Sequence, residues 1–119
     1  VLFFGFFGST RAMSTVAADF LDTTLNQHGC VVFSKSWCPY CQRVVKLLNQ
    51  IGANFELIEL DKRDDGDAIH AQVKQRVGGT SVPRVFINKK HIGGCDDTVA
   101  LHNSGKLKPM LKDANALNE

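Results

Sequence analysis

The sequence predicts an α/β domain: a four-stranded mixed sheet flanked by helices on both faces. Three observations lead there. Helix-spaced and strand-like segments alternate from Met13 onward. An apolar run, Cys30-Val31-Val32-Phe33, passes almost directly into a Cys-X-X-Cys pair that opens a helix-spaced segment. The last two strand-like pieces are separated only by a short polar turn, Asn88-Lys89-Lys90. Strands joined through a crossover helix should be parallel, and the last two, joined by a tight turn, antiparallel.

Each element has its own signal. Ser14 is placed to cap a first helix running to about His28, with Val16, Phe20 and Thr24 on one face and Gly29 as its stop. Residues 30–34 read as a central buried strand. Residues 39–51 form the second helix, with Val44, Val45, Leu47, Leu48 and Ile51 at helical spacing and Gly52 at its end. Pro39 suits the first turn, where the N–H it lacks would have no partner anyway. Residues 55–60 are the second strand, and the polar stretch from Asp61 to Asp67 is a loop. The third helix carries Ile69, Val73 and Val77 at four-residue spacing and stops at Gly78-Gly79. Val85-Phe86-Ile87 is the third strand, with Pro83 just ahead of it, where a proline is tolerated. His91-Ile92 is a short fourth strand. After Gly93-Gly94, one or two closing helices carry Leu101, Leu107 and Leu111, with a break near Gly105. The order is α-β-α-β-α-β-β-α.

At 119 residues the chain is one domain, assigned to residues 13–119. Residues 1–12 differ from the rest: four of the eight phenylalanines lie in the first seven residues, and no acidic residue precedes Asp19. They are expected to be an N-terminal tail outside the fold, disordered or of targeting type. An acid-poor end containing Arg and Ser resembles a mitochondrial transit peptide. The expected location is the cytoplasm, or the mitochondrion if that tail is a targeting remnant.

Composition excludes several classes. A net charge of +2, with no basic run, argues against nucleic acid. No apolar stretch reaches membrane-spanning length, so no membrane partner is expected. Four cysteines, at 30, 38, 41 and 95, would allow three disulfide pairings. Yet Cys30 opens a buried-looking strand and Cys95 lies in a turn, so a reducing compartment fits better.

The chemistry centres on Cys38-Pro39-Tyr40-Cys41. A thiol pair at a strand-to-helix junction is the layout of a thiol–disulfide catalyst. The helix start supplies unpaired N–H groups and the positive end of the macrodipole, which favour a thiolate. Lys35 and Arg43 are the nearest cations. The alternative, half of a zinc site, lacks a second cysteine pair, and no metal is expected. Cys30 reads as a small buried hydrophobe. Cys95 reads as an unreactive thiol, and Asp97 as a cap or surface charge.

Three motifs together narrow the identity. Ser34-Lys35-Ser36-Trp37-Cys38-Pro39-Tyr40-Cys41 resembles the active-site segment of dithiol glutaredoxins, within the thioredoxin-like fold. Ser81-Val82-Pro83-Arg84-Val85-Phe86-Ile87 resembles their Thr-Val-Pro segment, and Gly93-Gly94-Cys95-Asp96-Asp97 their Gly-Gly-Cys-Asp-Asp signature. The resemblance covers about residues 14–113. It implies a glutathione-dependent oxidoreductase that reduces glutathione mixed disulfides and protein disulfides, with Cys38 as nucleophile and Cys41 as resolving thiol. Glutathione would be the co-substrate, and glutathionylated or disulfide-bonded proteins the clients of a monomer. The implied glutathione site comprises Lys35 for the glycyl carboxylate, Tyr40 beside the sulfur, Ser81, Val82 and a cis Pro83 for the peptide edge, and Gly94, Cys95 and Asp96 for the γ-glutamyl end. His70 stands where the family often has Gln, and a neutral His donates one hydrogen bond there at most. A second reading, an iron–sulfur carrier bridging two subunits with glutathione, is disfavoured because Pro39 stiffens the loop and Tyr40 and Trp37 crowd it.

Overall fold

The strand β1 (Cys30–Ser34) organises the molecule, and all five of its residues are buried. The computed structural model describes residues 9–118, with side chains from Met13 onward. The other elements are α1 (Ser9–Gln27), α2 (Pro39–Gln50), β2 (Glu56–Glu59), a single 3-10 turn at Leu60–Lys62, α3 (Gly66–Val77), β3 (Arg84–Ile87), β4 (Lys90–Gly93), α4 (Cys95–Asn103) and α5 (Leu107–Asp113). The strands form one sheet in the order β2-β1-β3-β4.

Side chains on β1 alternate between two cores, as the period of two requires. Val31 and Phe33 pack with Leu21 and Leu25 of α1, Ile69 and Val73 of α3, and Phe86 of β3. Cys30 and Val32 pack with Val44 and Leu48 of α2, and with Leu107 and Leu111 of α5. Helices therefore cover both faces of a four-stranded mixed sheet. Phe33 and Phe86 meet edge to face, with ring centroids 5.6 Å apart. Among the described residues, no helix is long and apolar enough to cross a membrane.

Three expectations change. The first helix begins at Ser9, not at Ser14. No Gly or Pro interrupts residues 9–27, and the Ser14 hydroxyl is used elsewhere, accepting from Gln72 Nε2 of α3 at 3.1 Å. The tail expected over residues 1–12 therefore overlaps α1 at 9–12, and residues 1–8 lie outside the described part. Second, the loop after β2 contains the 3-10 turn, and α3 starts within it, at Gly66.

Third, β3 does not run parallel to the strand before it. β1 and β2 are parallel, but β3 pairs antiparallel with β1, Arg84 lying opposite Phe33. The reason lies in where α3 begins and where its loop ends. Gly66 abuts Leu60 at the C-terminal end of β2, and residue 84 starts β3 at the C-terminal end of β1. The chain thus leaves and re-enters the sheet at one end and must reverse direction. β3 and β4 then form the expected hairpin. Asn88 and Lys89 carry φ of 53° and 68°, a two-residue turn whose twist suits antiparallel strands.

Candidate functional site

Cys38 occupies the N-cap of α2, with extended backbone (φ −84°, ψ 119°), and Pro39 begins the helix. Its Sγ accepts from the Cys41 backbone N–H at 3.3 Å. This is the ordinary N-cap bond with sulfur in place of oxygen, and it stabilises negative charge on sulfur. As a thiol, the same Sγ donates to the Val82 carbonyl at 3.8 Å. One turn further in, Cys41 is 1% exposed. Burial, then its hydrogen bond with the Cys38 side chain, pushes the Cys41 thiol up to about 11, against smaller lowering contacts from Lys35 and Ser34. The pair is asymmetric before any substrate arrives.

That asymmetry has a measurable consequence. With a value of about 11, roughly one Cys41 in ten thousand is thiolate at pH 7. Iodoacetamide at pH 7 is expected to label Cys38 and spare Cys41, and Cys41 labelling should climb about tenfold per pH unit toward pH 11. Mass mapping of the alkylated peptides reads this directly. Comparable labelling of both at pH 7 would contradict it.

The segment before Cys38 is anchored to the 3-10 turn after β2 and to α2. The Ser36 N–H donates to Asp61 Oδ1 at 2.9 Å, the Ser36 hydroxyl donates to Asp61 Oδ2, and Gln42 Nε2 donates to the Ser36 carbonyl at 3.1 Å. The Ser36 hydroxyl and amide hold the Asp61 carboxyl below the usual carboxylate range. The Cys38 N–H closes the turn onto the Lys35 carbonyl at 3.1 Å. The 3-10 turn missed in the sequence is therefore what carries Asp61 to the active-site loop.

Beside Cys38 lies an open pocket of about 270 Å³, lined by Tyr40, Ser81, Val82, Pro83, Arg84, Gly94, Cys95, Asp96 and Asp97. One wall is the chain edge at Val82–Pro83, whose peptide bond is cis. The opposite wall is the N-terminus of α4. There Gly94 is the N-cap and Cys95 and Asp96 are the first helical residues, with backbone N–H groups available to an anion. Asp97 caps that start, its Oδ2 accepting from the Gly94 N–H at 3.3 Å. Tyr40, 59% exposed, overhangs the pocket, and Trp37, 66% exposed, stands one residue before Cys38.

The pocket thus gathers Tyr40, Ser81, Val82, Pro83, Gly94, Cys95 and Asp96 of the residues singled out in the sequence. Lys35 and His70 are not on its lining. Lys35 borders a separate cavity of about 550 Å³ between α2 and β2, and its Nζ lies 5.8 Å from the Trp37 ring centroid. His70 Nε2 donates to the Thr80 carbonyl at 2.9 Å. A neutral His70 has then used its one proton and offers a ligand only the acceptor Nδ1. Cys95 is 6% exposed, and burial pushes its thiol up, partly offset by Arg43. Cys30 is fully buried and raised to about 12 by burial. Neither is primed to react. Arg84 was given no role from the sequence, yet it lines the pocket and bonds Ser81 twice. Its signal was a cation three residues after Ser81 and directly after Pro83.

Comparison with known proteins agrees with this geometry. The family profile of glutaredoxin matches residues 30–92. Glutaredoxin-C6 of Oryza sativa subsp. japonica is 55% identical over 87 residues, covering 73% of this chain and 78% of that protein. Glutaredoxin-C2 of Arabidopsis thaliana is 50% identical over 93 residues, covering 78% of this chain and 84% of its own. The crystal structure of a buckwheat glutaredoxin–glutathione complex superposes with a TM-score of 0.86 at 46% identity, covering 90% of this chain and 97% of that one. With a family profile that matches more than half of the chain and relatives identical at half or more of the aligned positions, the chain belongs to the glutaredoxin family.

Proposed function

We propose that this glutathione-dependent thiol–disulfide oxidoreductase uses Cys38 as its nucleophile, Cys41 as its resolving thiol and the 270 Å³ pocket as its glutathione site. The observation that carries the reading is the contact of Cys38 Sγ with Val82 O, at 3.8 Å, on the lip of a pocket with a peptide edge on one side and a helix start on the other. A tripeptide laid along Val82 pairs its backbone with that edge, as in strand addition. A carboxylate then reaches the Cys95 and Asp96 N–H groups, and an amine meets the Asp96 carboxylate.

The steps follow. The Cys38 thiolate attacks the glutathione sulfur of a mixed disulfide, the S–S bond breaks, and the client thiolate leaves and takes a proton. A second glutathione thiolate attacks the sulfur of the glutathione now joined to Cys38. Oxidised glutathione departs and Cys38 returns as thiolate. One S–S bond is exchanged for another: the client sulfur is reduced by one electron, the incoming glutathione sulfur is oxidised by one, and the first glutathione stays at the disulfide level throughout. For a protein disulfide, the Cys38 thiolate first attacks one client sulfur and the other leaves as a thiol. Cys41 then attacks Cys38 Sγ, breaks its bond to the client, releases the second client thiol and leaves a Cys38–Cys41 disulfide, which two glutathiones reduce as they become oxidised glutathione.

Clients are proposed to be glutathionylated and disulfide-bonded proteins, handled by a monomer. The cytoplasm is the proposed compartment, with the mitochondrion as the alternative; either keeps four thiols reduced. An iron–sulfur carrier is not favoured, since Pro39 and the exposed Tyr40 and Trp37 restrict the approach of a second subunit to Cys38. The deciding assay is reduction of a small glutathione mixed disulfide, followed by NADPH oxidation through glutathione reductase. The protein should accelerate it severalfold or more over glutathione alone. Direct reduction by a flavoenzyme thioredoxin reductase, at a rate rivalling glutathione, would replace this reading with a thioredoxin-type one.

A further inference from the structure

We infer that Arg84 is a positioning residue for the glutathione pocket, its guanidinium folding back across Val82 and Pro83 onto Ser81 to hold the Val82 edge beside Cys38. The inference rests on the glutathione reading of that pocket. Four observations carry it. Arg84 Nε donates to the Ser81 carbonyl at 2.9 Å, and Arg84 Nη2 donates to the Ser81 hydroxyl at 2.9 Å. The Arg84 backbone is itself fixed in β3, opposite Phe33 of the central strand. Among the described residues, no backbone–backbone hydrogen bond outside the sheet ladder holds residues 79–83. The guanidinium also lies so close over Gly79 that a Cβ there would meet Nη2 at 2.8 Å.

The loop that presents Val82 is therefore held by side chains, not by backbone pairing. From the α3 side, His70 holds the Thr80 carbonyl at 2.9 Å. From the β3 side, Arg84 holds the next carbonyl and its hydroxyl. Two successive carbonyls are pinned from opposite directions, immediately before the edge that touches Cys38 Sγ. The planar fork of Arg reaches both Ser81 atoms at once, which a lysine ammonium on a flexible stem does not reproduce. Cys38 itself is held separately, by the Cys41 N–H and the turn at Lys35, so loosening the Ser81 contact leaves the nucleophile in place.

The test is a double-mutant cycle on the full chain with Arg84→Ala, Ser81→Ala and the pair. Arg84→Ala should raise the KM for glutathione about tenfold, the scale of losing hydrogen bonds from a charged donor, with kcat changed less than twofold. The pH dependence of Cys38 alkylation should not move. Ser81→Ala should raise KM by a smaller factor, and the double variant should match Arg84→Ala, because the two act as one contact. The backbone order parameter at Val82, from nitrogen relaxation, should fall in Arg84→Ala. Strictly additive KM effects would overturn the inference and assign Arg84 to direct contact with substrate. An unchanged KM with an unchanged order parameter would overturn it outright. If Arg84→Ala does not fold, Arg84→Gln, which keeps most of the stem and removes the fork, is read by the same measures. The relaxation measurement needs no glutathione. A wild-type protein inactive with glutathione would remove the functional reading, and the relaxation result would still decide whether Arg84 holds the loop.

Discussion

Cys38→Ser is expected to lower glutathione-coupled reduction of a small mixed disulfide by at least about a thousandfold, while Cys41→Ser keeps it within a few-fold of wild type. The first loss is chemical, not structural. Cys38 is an N-cap, a position where Ser is among the preferred residues, so the substituted helix start should be at least as well capped. What disappears is a sulfur able to attack and to leave. Cys41 is buried and held as a thiol by its surroundings, so the exchange between Cys38 and glutathione proceeds without it. Its removal should instead abolish turnover of protein disulfides, where Cys41 must displace the client from Cys38. Running both variants on both substrates checks this. Equal losses in the two variants on the small mixed disulfide would count against the glutathione route.

Gly66→Ala is expected to cost about 3 kcal/mol or more of stability, lowering the thermal midpoint by roughly 10 °C or more. A Cβ at Gly66 would sit 1.8 Å from the Leu60 carbonyl oxygen, and backbone on both sides leaves nothing flexible to yield. The helix α3 would have to lift from the 3-10 turn, exposing Ile69 and Val73, both buried against β1. The site should feel it as well. The same turn carries Asp61, which holds Ser36 two residues before Cys38. Calorimetry reads the first effect and mixed-disulfide turnover below the transition the second. A midpoint within 2 °C of wild type would show that the Gly66 contact relaxes cheaply.

Much of the site was legible in the chain because its signals are local. A thiol, a proline and a second thiol at fixed spacing define an N-cap, a first helical position and a residue one turn on. The structure has Cys38, Pro39 and Cys41 in those places. Gly78, at φ +81°, ends α3 as its position after Val77 implied. The α4 start at Gly94-Cys95-Asp96 was equally readable, since glycine followed by acidic residues marks a helix opening.

What the sequence could not decide depends on which segments meet in space. The Ser14 hydroxyl looks like a cap until Gln72, far along the chain, occupies it. Parallel or antiparallel pairing of β3 turns on which end of the sheet α3 leaves and reaches, and periodicity is blind to that. Lys35 and His70 carry donors suited to a carboxylate, yet their neighbours in the fold are the Trp37 ring and the Thr80 carbonyl. Arg84 is the reverse case: unremarked as a residue, it is tied to Ser81 once the loop closes. The sequence by itself determined the sheet-and-helix alternation, the reactive pair and the turn and helix-start residues around it, because backbone conformation and capping act over a few residues. Only the tertiary structure decided strand direction, the anchoring of the active-site loop by Asp61 and the holding of the Val82 edge by Arg84. Those rest on hydrogen bonds and close contacts made only once distant elements, or the two ends of a folded loop, are brought together.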